Sequence, residues 1–204
     1  MSRTILLMAT VAFTPLLASG VAMAAVLLDQ EQTATTGGFT LSDANQRFAQ
    51  TFTAGATGKL RKVSVSAGCC TRVDRNTFTP VDGGNPPGDM ILKVFAVNSS
   101  GLPTGSALST KVVPRERFPL HDGTTSWMDV TFRKAASVRA GKRYALVMTS
   151  STSRAAPNDF KYRWNFASGD VYTRGFVSYK LNRQAWTTES TDGFDHAFKT
   201  YVAN

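Results

Sequence analysis

Apolar residues in this chain recur at alternate positions, in short runs separated by glycine, proline and small polar residues. Successive side chains of a strand point to opposite faces, so this period predicts strands. Within 47–53, Phe48, Gln50 and Phe52 share one side and Ala49, Thr51 and Thr53 the other. Within 62–67, Val63, Val65 and Ala67 face inward while Lys62, Ser64 and Ser66 predict a solvated face. Residues 90–97 are apolar on both sides and belong inside a sheet. Residues 108–113 form a weak strand stopped by Pro114. Met128, Val130 and Phe132 alternate inward with Trp127, Asp129 and Thr131 outward, and 143–149 predicts another buried strand. Tyr162, Trp164 and Phe166 oppose Lys161, Arg163 and Asn165, which marks Trp164 as core. Val177, Tyr179 and Leu181 follow, and His196, Phe198, Thr200 and Val202 share a face of the last strand.

A short apolar start at 25–29 suits an edge strand, whereas 31–45, 71–89 and 150–158 read as loops from their Thr, Gly, Ser, Asp and Pro content. Beyond the first two dozen residues no segment carries a helical apolar period. The expected fold is therefore all-β: an antiparallel β-sandwich of jelly-roll type with about nine strands.

The N-terminus changes the picture of compartment. Arg3 precedes an almost wholly apolar stretch from Ile5 to Leu17, and Ala22-Met23-Ala24 supplies small residues where a signal peptidase reads. Residues 1–24 are expected to be a secretory signal peptide and 25–204 a single secreted domain, with no membrane span after cleavage. The 204 residues, 42% hydrophobic and 18% charged, suffice for one domain with a sizeable core. Cleavage removes one Arg and no acid, taking the net charge from +9 to +8. The basic residues are scattered, which with export argues against nucleic acid and leaves extracellular polysaccharide or an envelope surface as the expected partner.

Cys69 and Cys70 are the only cysteines. Export permits oxidation, although neighbouring Cα atoms are only about 3.8 Å apart, which strains a bond between them. A vicinal disulfide is one state; free thiols or a link to a second chain are the others. Two cysteines cannot by themselves make a zinc site, and no metal or cofactor is expected.

The ordered motifs then become familiar. Ala49-Gln50-Thr51-Phe52-Thr53-Ala54 leads through Gly58-Lys59-Leu60 into a valine-rich strand. Gly101-Leu102-Pro103-Thr104-Gly105 and Ala140-Gly141-Lys142-Arg143-Tyr144 follow, and the chain closes on Tyr172, Gly175, Trp186 and 195–202. This order resembles bacterial extracellular β-sandwich domains of the choice-of-anchor type, which are similar to carbohydrate-binding modules. The resemblance implies a jelly roll with an adhesive or glycan-associated role at the cell surface, and supplies no catalytic residue. The Cys69-Cys70 insertion departs from it, and no surface anchor is visible.

Candidate chemistry is sparse. Glycoside hydrolysis needs paired carboxylates, and Glu31, Glu116 and Glu189 show no pairing in sequence. His121 sits in a His-Asp-Gly turn and His196 in the last strand, where a satisfied structural histidine is the expected role. Sugars stack on exposed aromatic rings with polar side chains fixing orientation, which singles out Trp127, Tyr172 with Arg174, and Trp186. For each ring taken alone, packing in the core is the commoner fate. The leading expectation is a secreted non-catalytic sandwich that binds glycan or another extracellular surface. A structural or protein–protein adhesion module and a small secreted polysaccharide hydrolase or lyase are the alternatives.

Overall fold

A twelve-residue strand, β4 (Gly58–Cys69), is the axis of the larger of two sheets. The computed structural model describes residues 25–41, 44–69, 71–73, 80–82, 88–119, 126–152, 162–188 and 193–204, with backbone alone for 71–73 and 80–82. Along one edge β4 pairs first with β15 (Phe198–Ala203) and then with β11 (Tyr162–Ser168). Along the other it pairs with β9 (Trp127–Val138). β1 (Val26–Gln32) extends this sheet beyond β15, while β2 (Gly37–Leu41) and β14 (Phe194–His196) flank β11.

The second sheet runs in the order β13 (Thr187–Thr188), β12 (Val177–Leu181), β3 (Gln46–Thr53), β10 (Arg143–Ser150), β7 (Met90–Val97), β8 (Pro103–Val113). A small hairpin, β5 (Thr71–Val73) with β6 (Pro80–Asp82), stands apart from both. Every pairing is antiparallel, and the two main sheets pack face to face as an all-β sandwich. Among the described residues no helix is long and apolar enough to cross a membrane.

The fifteen strands among the described residues exceed the expected nine chiefly because β5, β6, β13 and β14, of two or three residues, are too short to show alternation. β2 lies in 31–45, whose Thr, Gly, Ser and Asp content predicts a loop, and its Gly37-Gly38 start offers no side chain to show alternation. Its glycines serve close packing instead: a Cβ on Gly38 would lie 2.2 Å from Arg163 Nε. Ser64 and Ser66, expected on a solvated face, are buried. They face away from the core but lie under longer neighbours, Asp129 and Lys199 beside Ser64 and Trp127 beside Ser66; Ser64 bonds the Asp129 carboxylate and Ser66 accepts from Asn165 Nδ2 at 2.9 Å.

The alternation read from the other runs is the core. Phe52, Leu60, Val63, Val65, Leu92, Val94, Val130, Phe132, Leu146, Met148, Trp164 and Phe198 are all buried between the sheets. Each such side chain contributes about 1.5–3 kcal/mol on burial. A polar seam crosses this core. Gln50 on β3 donates through Nε2 to Asp195 Oδ1 at 3.0 Å and accepts from the His196 backbone N–H at 2.7 Å. The seam ties one sheet to the other and leaves those polar groups satisfied.

Candidate functional site

The outer face of the six-stranded sheet is built from the positions that alternate with the core. In register, Ser178, Ala49, Val147 and Lys93 lie opposite one another across β12, β3, β10 and β7. The next row brings Lys180, Arg47 and Thr149 into line. Ala49, Ala145 and Val147 are small, and Trp186, Phe95 and Val97 pack down over them. Such small side chains let a large indole lie close to the sheet.

Trp186 is delivered by the turn after β12. Asn182 takes a left-handed conformation at φ 54°, which asparagine tolerates better than most residues. Its backbone N–H donates to Asn45 O at 2.6 Å, and Gln184 N donates to Leu181 O at 3.1 Å to close the turn. The chain then enters β13 with the indole half-buried on the sheet face.

A trough of about 310 Å3 opens beside this indole. Trp186, Phe95, Val147 and Pro103 give it apolar walls, and Thr104, Gly105 and Thr149 add polar and backbone groups. Arg47, Lys93 and Lys180 supply charge, and no acidic residue among the described ones lines it. The ion pairs among the described residues, Lys62–Asp129, Arg115–Glu116 and Lys199–Glu31, lie elsewhere. The three trough cations therefore have no anionic partner among the described residues. An aromatic wall beside polar donors is suited to stacking the apolar face of a sugar and fixing its hydroxyls.

The residues singled out from the sequence do not converge. Trp186 lies in the trough. Trp127 is on the outer face of the other sheet, at the start of β9, with Lys199 Nζ 5.0 Å from its ring centre. Tyr172 is a core residue rather than a platform: its ring meets Phe198 edge-on at 5.1 Å and its hydroxyl donates to Gln30 Oε1 at 3.0 Å. Burial pushes its phenol up to about 12. The Asp170–Arg174 surroundings that suggested exposure belong to a loop that turns the Tyr172 ring inward, while Arg174 itself stays exposed. Cys69 ends β4 buried and disulfide-bonded, opposite Tyr162; Cys70 lies outside the described residues, as do His121 and Glu189.

His196 is wholly buried, as a structural histidine should be, yet neither ring nitrogen has a hydrogen-bond partner among the described residues. Its ring stacks on Trp164 at 4.1 Å and 11°. Desolvation lowers its pKa to about 3, opposed only in part by the Asn165 and Trp164 backbone. Asp195, next in chain, is also buried, and burial holds its carboxyl above the usual range despite bonds from the Tyr172 N–H and Gln50. Neither group is open to a substrate. Glu31 and Glu116 sit on separate elements, each paired with a basic neighbour.

Arg47, Lys93, Phe95 and Lys180 were not singled out from the sequence. Each looks like an ordinary outward residue until the register of β12, β3, β10 and β7 sets them side by side. No protein-family model and no characterised protein matches the chain.

Proposed function

We propose that this protein is a secreted, non-catalytic β-sandwich that binds glycan through the trough beside Trp186. The observation that carries this reading is a half-buried indole set against a row of polar and basic side chains on a sheet face. The secretory leader expected at residues 1–24 and the resemblance to choice-of-anchor domains agree with it, and so does the jelly-roll connectivity that the resemblance implies. The mechanism is preformed binding: ring stacking supplies apolar contact and the polar wall fixes orientation.

Affinity electrophoresis of residues 25–204 through gels containing soluble polysaccharides tests the reading. Retardation by at least one polymer, lost on Trp186→Ala and kept on Trp127→Ala, is the expected result. Equal retardation of wild type and Trp186→Ala would place binding elsewhere.

One observation favours the adhesion reading as a second possibility. β1 ends the larger sheet among the described residues, and Val26, Leu27 and Leu28 on it are exposed. An apolar edge strand can pair with another chain. Light scattering across a concentration series, with Leu27→Lys as the comparison, reads this directly: self-association that the substitution abolishes would support it.

A further inference from the structure

We infer that the trough selects an acidic polysaccharide, one bearing uronate carboxylates or sulfate esters, over a neutral one; this rests on the glycan reading above. The argument begins with strand register. Arg47 and Lys180 stand directly opposite each other across β3 and β12. Side chains so placed share a face with Cβ atoms about 4.5–5.5 Å apart, and like charges there are destabilising. Neither side chain makes an ion pair with a described residue, and Lys93 joins them from β7.

Two cations on the other sheet have acidic partners instead. On the outer face of the larger sheet Lys62 pairs with Asp129 at 3.0 Å, and Lys199 with Glu31 at 3.6 Å. Those two are neutralised across strands, whereas the trough gathers three cations with no acid among its described lining. An unneutralised cluster beside an aromatic wall is relieved by an anion that also presents an apolar face. An acidic sugar has both in one residue: the ring stacks on Trp186, and its carboxylate or sulfate meets the cations. A neutral glycan leaves the repulsion in place.

The chain is basic overall, so a polyanion could be held by net charge alone. The test separates the two. Polygalacturonate, alginate, dextran sulfate and neutral dextran are offered to residues 25–204 at low and physiological salt, with calorimetry as the readout. Arg47→Gln/Lys180→Gln is compared with Lys134→Gln/Lys142→Gln, which removes the same charge from exposed positions outside the trough. The trough variant is expected to lose about tenfold or more in affinity for the acidic polymers and the control about twofold or less. Its thermal midpoint is expected to hold or rise, because a like-charge pair is gone.

Equal losses in both variants would overturn the inference in favour of net charge. Neutral dextran bound as tightly as the acidic polymers, with Trp186→Ala abolishing both, would overturn the inference and leave the glycan reading intact. Binding to none of the four, with the fold verified by circular dichroism, would remove both. Preference between uronate and sulfate polymers identifies the anion.

Discussion

His196 stacks on Trp164, with Phe39 and Phe48 rings nearby, and its nitrogens meet no described partner. A neutral imidazole is tolerated there and an imidazolium is not. The folded-state pKa of about 3 lies below the ordinary value near 6.5, so the unfolded chain takes up the proton first as pH falls. The stability this group contributes is complete above pH about 6.5 and is lost on acidification through that value toward the folded pKa, at about 2 kcal/mol between pH 7 and 5. His196→Phe is expected to flatten that acid dependence in urea titrations at the two pH values, at little cost in stability at pH 7. Unchanged acid dependence in the variant would assign the sensitivity elsewhere. Asp195 has the opposite sign: its pKa is raised, so its burial is best tolerated at low pH and opposes folding increasingly as pH rises through the raised value. Removing it still harms the fold, because the Tyr172 N–H and Gln50 Nε2 lose their acceptor. Asp195→Ala is expected to cost about 2–5 kcal/mol at neutral pH, read from the denaturant midpoint.

At the scale of elements, the segment before β12 is held against β3 more closely than side chains permit. A Cβ on Gly175 would lie 1.9 Å from Thr51 O, and Phe176 and Thr51 exchange backbone and hydroxyl bonds beside it. Gly175→Ala is expected to cost about 1–3 kcal/mol and to displace Trp186 through β12, weakening any trough ligand as well. Thermal melts and binding measured on the same preparation check both effects. Local alternation made β3, β7, β9, β10 and β11 legible, since each buries one or both faces over at least seven residues. β2 and β13 were not, because pairing rather than side-chain pattern makes them strands. On β4 the outward face was legible, but the burial of Ser64 and Ser66 on it was not, because the side chains that cover them come from β9 and β15. The trough was legible only at Trp186. Arg47 and Lys180 are more than a hundred residues apart in the chain, and nothing local sets their register.

For the whole molecule, one continuous core and the Gln50–Asp195 seam couple the sheets. Tryptophan fluorescence, dominated in its environment change by buried Trp164, and far-ultraviolet circular dichroism are expected to report a single coincident transition. Amide exchange should be slowest along β4 and in β3 and β10, which are paired on both sides, and fastest in the two-residue β13 and the β5–β6 hairpin. A β4 that exchanges as fast as β13 would contradict that order. The same rigidity bears on how the trough would work. Arg47, Lys93, Val147 and Thr149 stand on strands paired on both sides, Lys180 is paired to Arg47 on β3, and Trp186 comes from a turn. Such a surface has no jaw to shut. A guest would arrive quickly, drawn by charge, and leave quickly, because no slow opening step guards its exit. Retention on a fibre or wall would then come from many brief contacts along one stiff polymer, with dwell time set by the length of the polymer and not by the depth of any one seat.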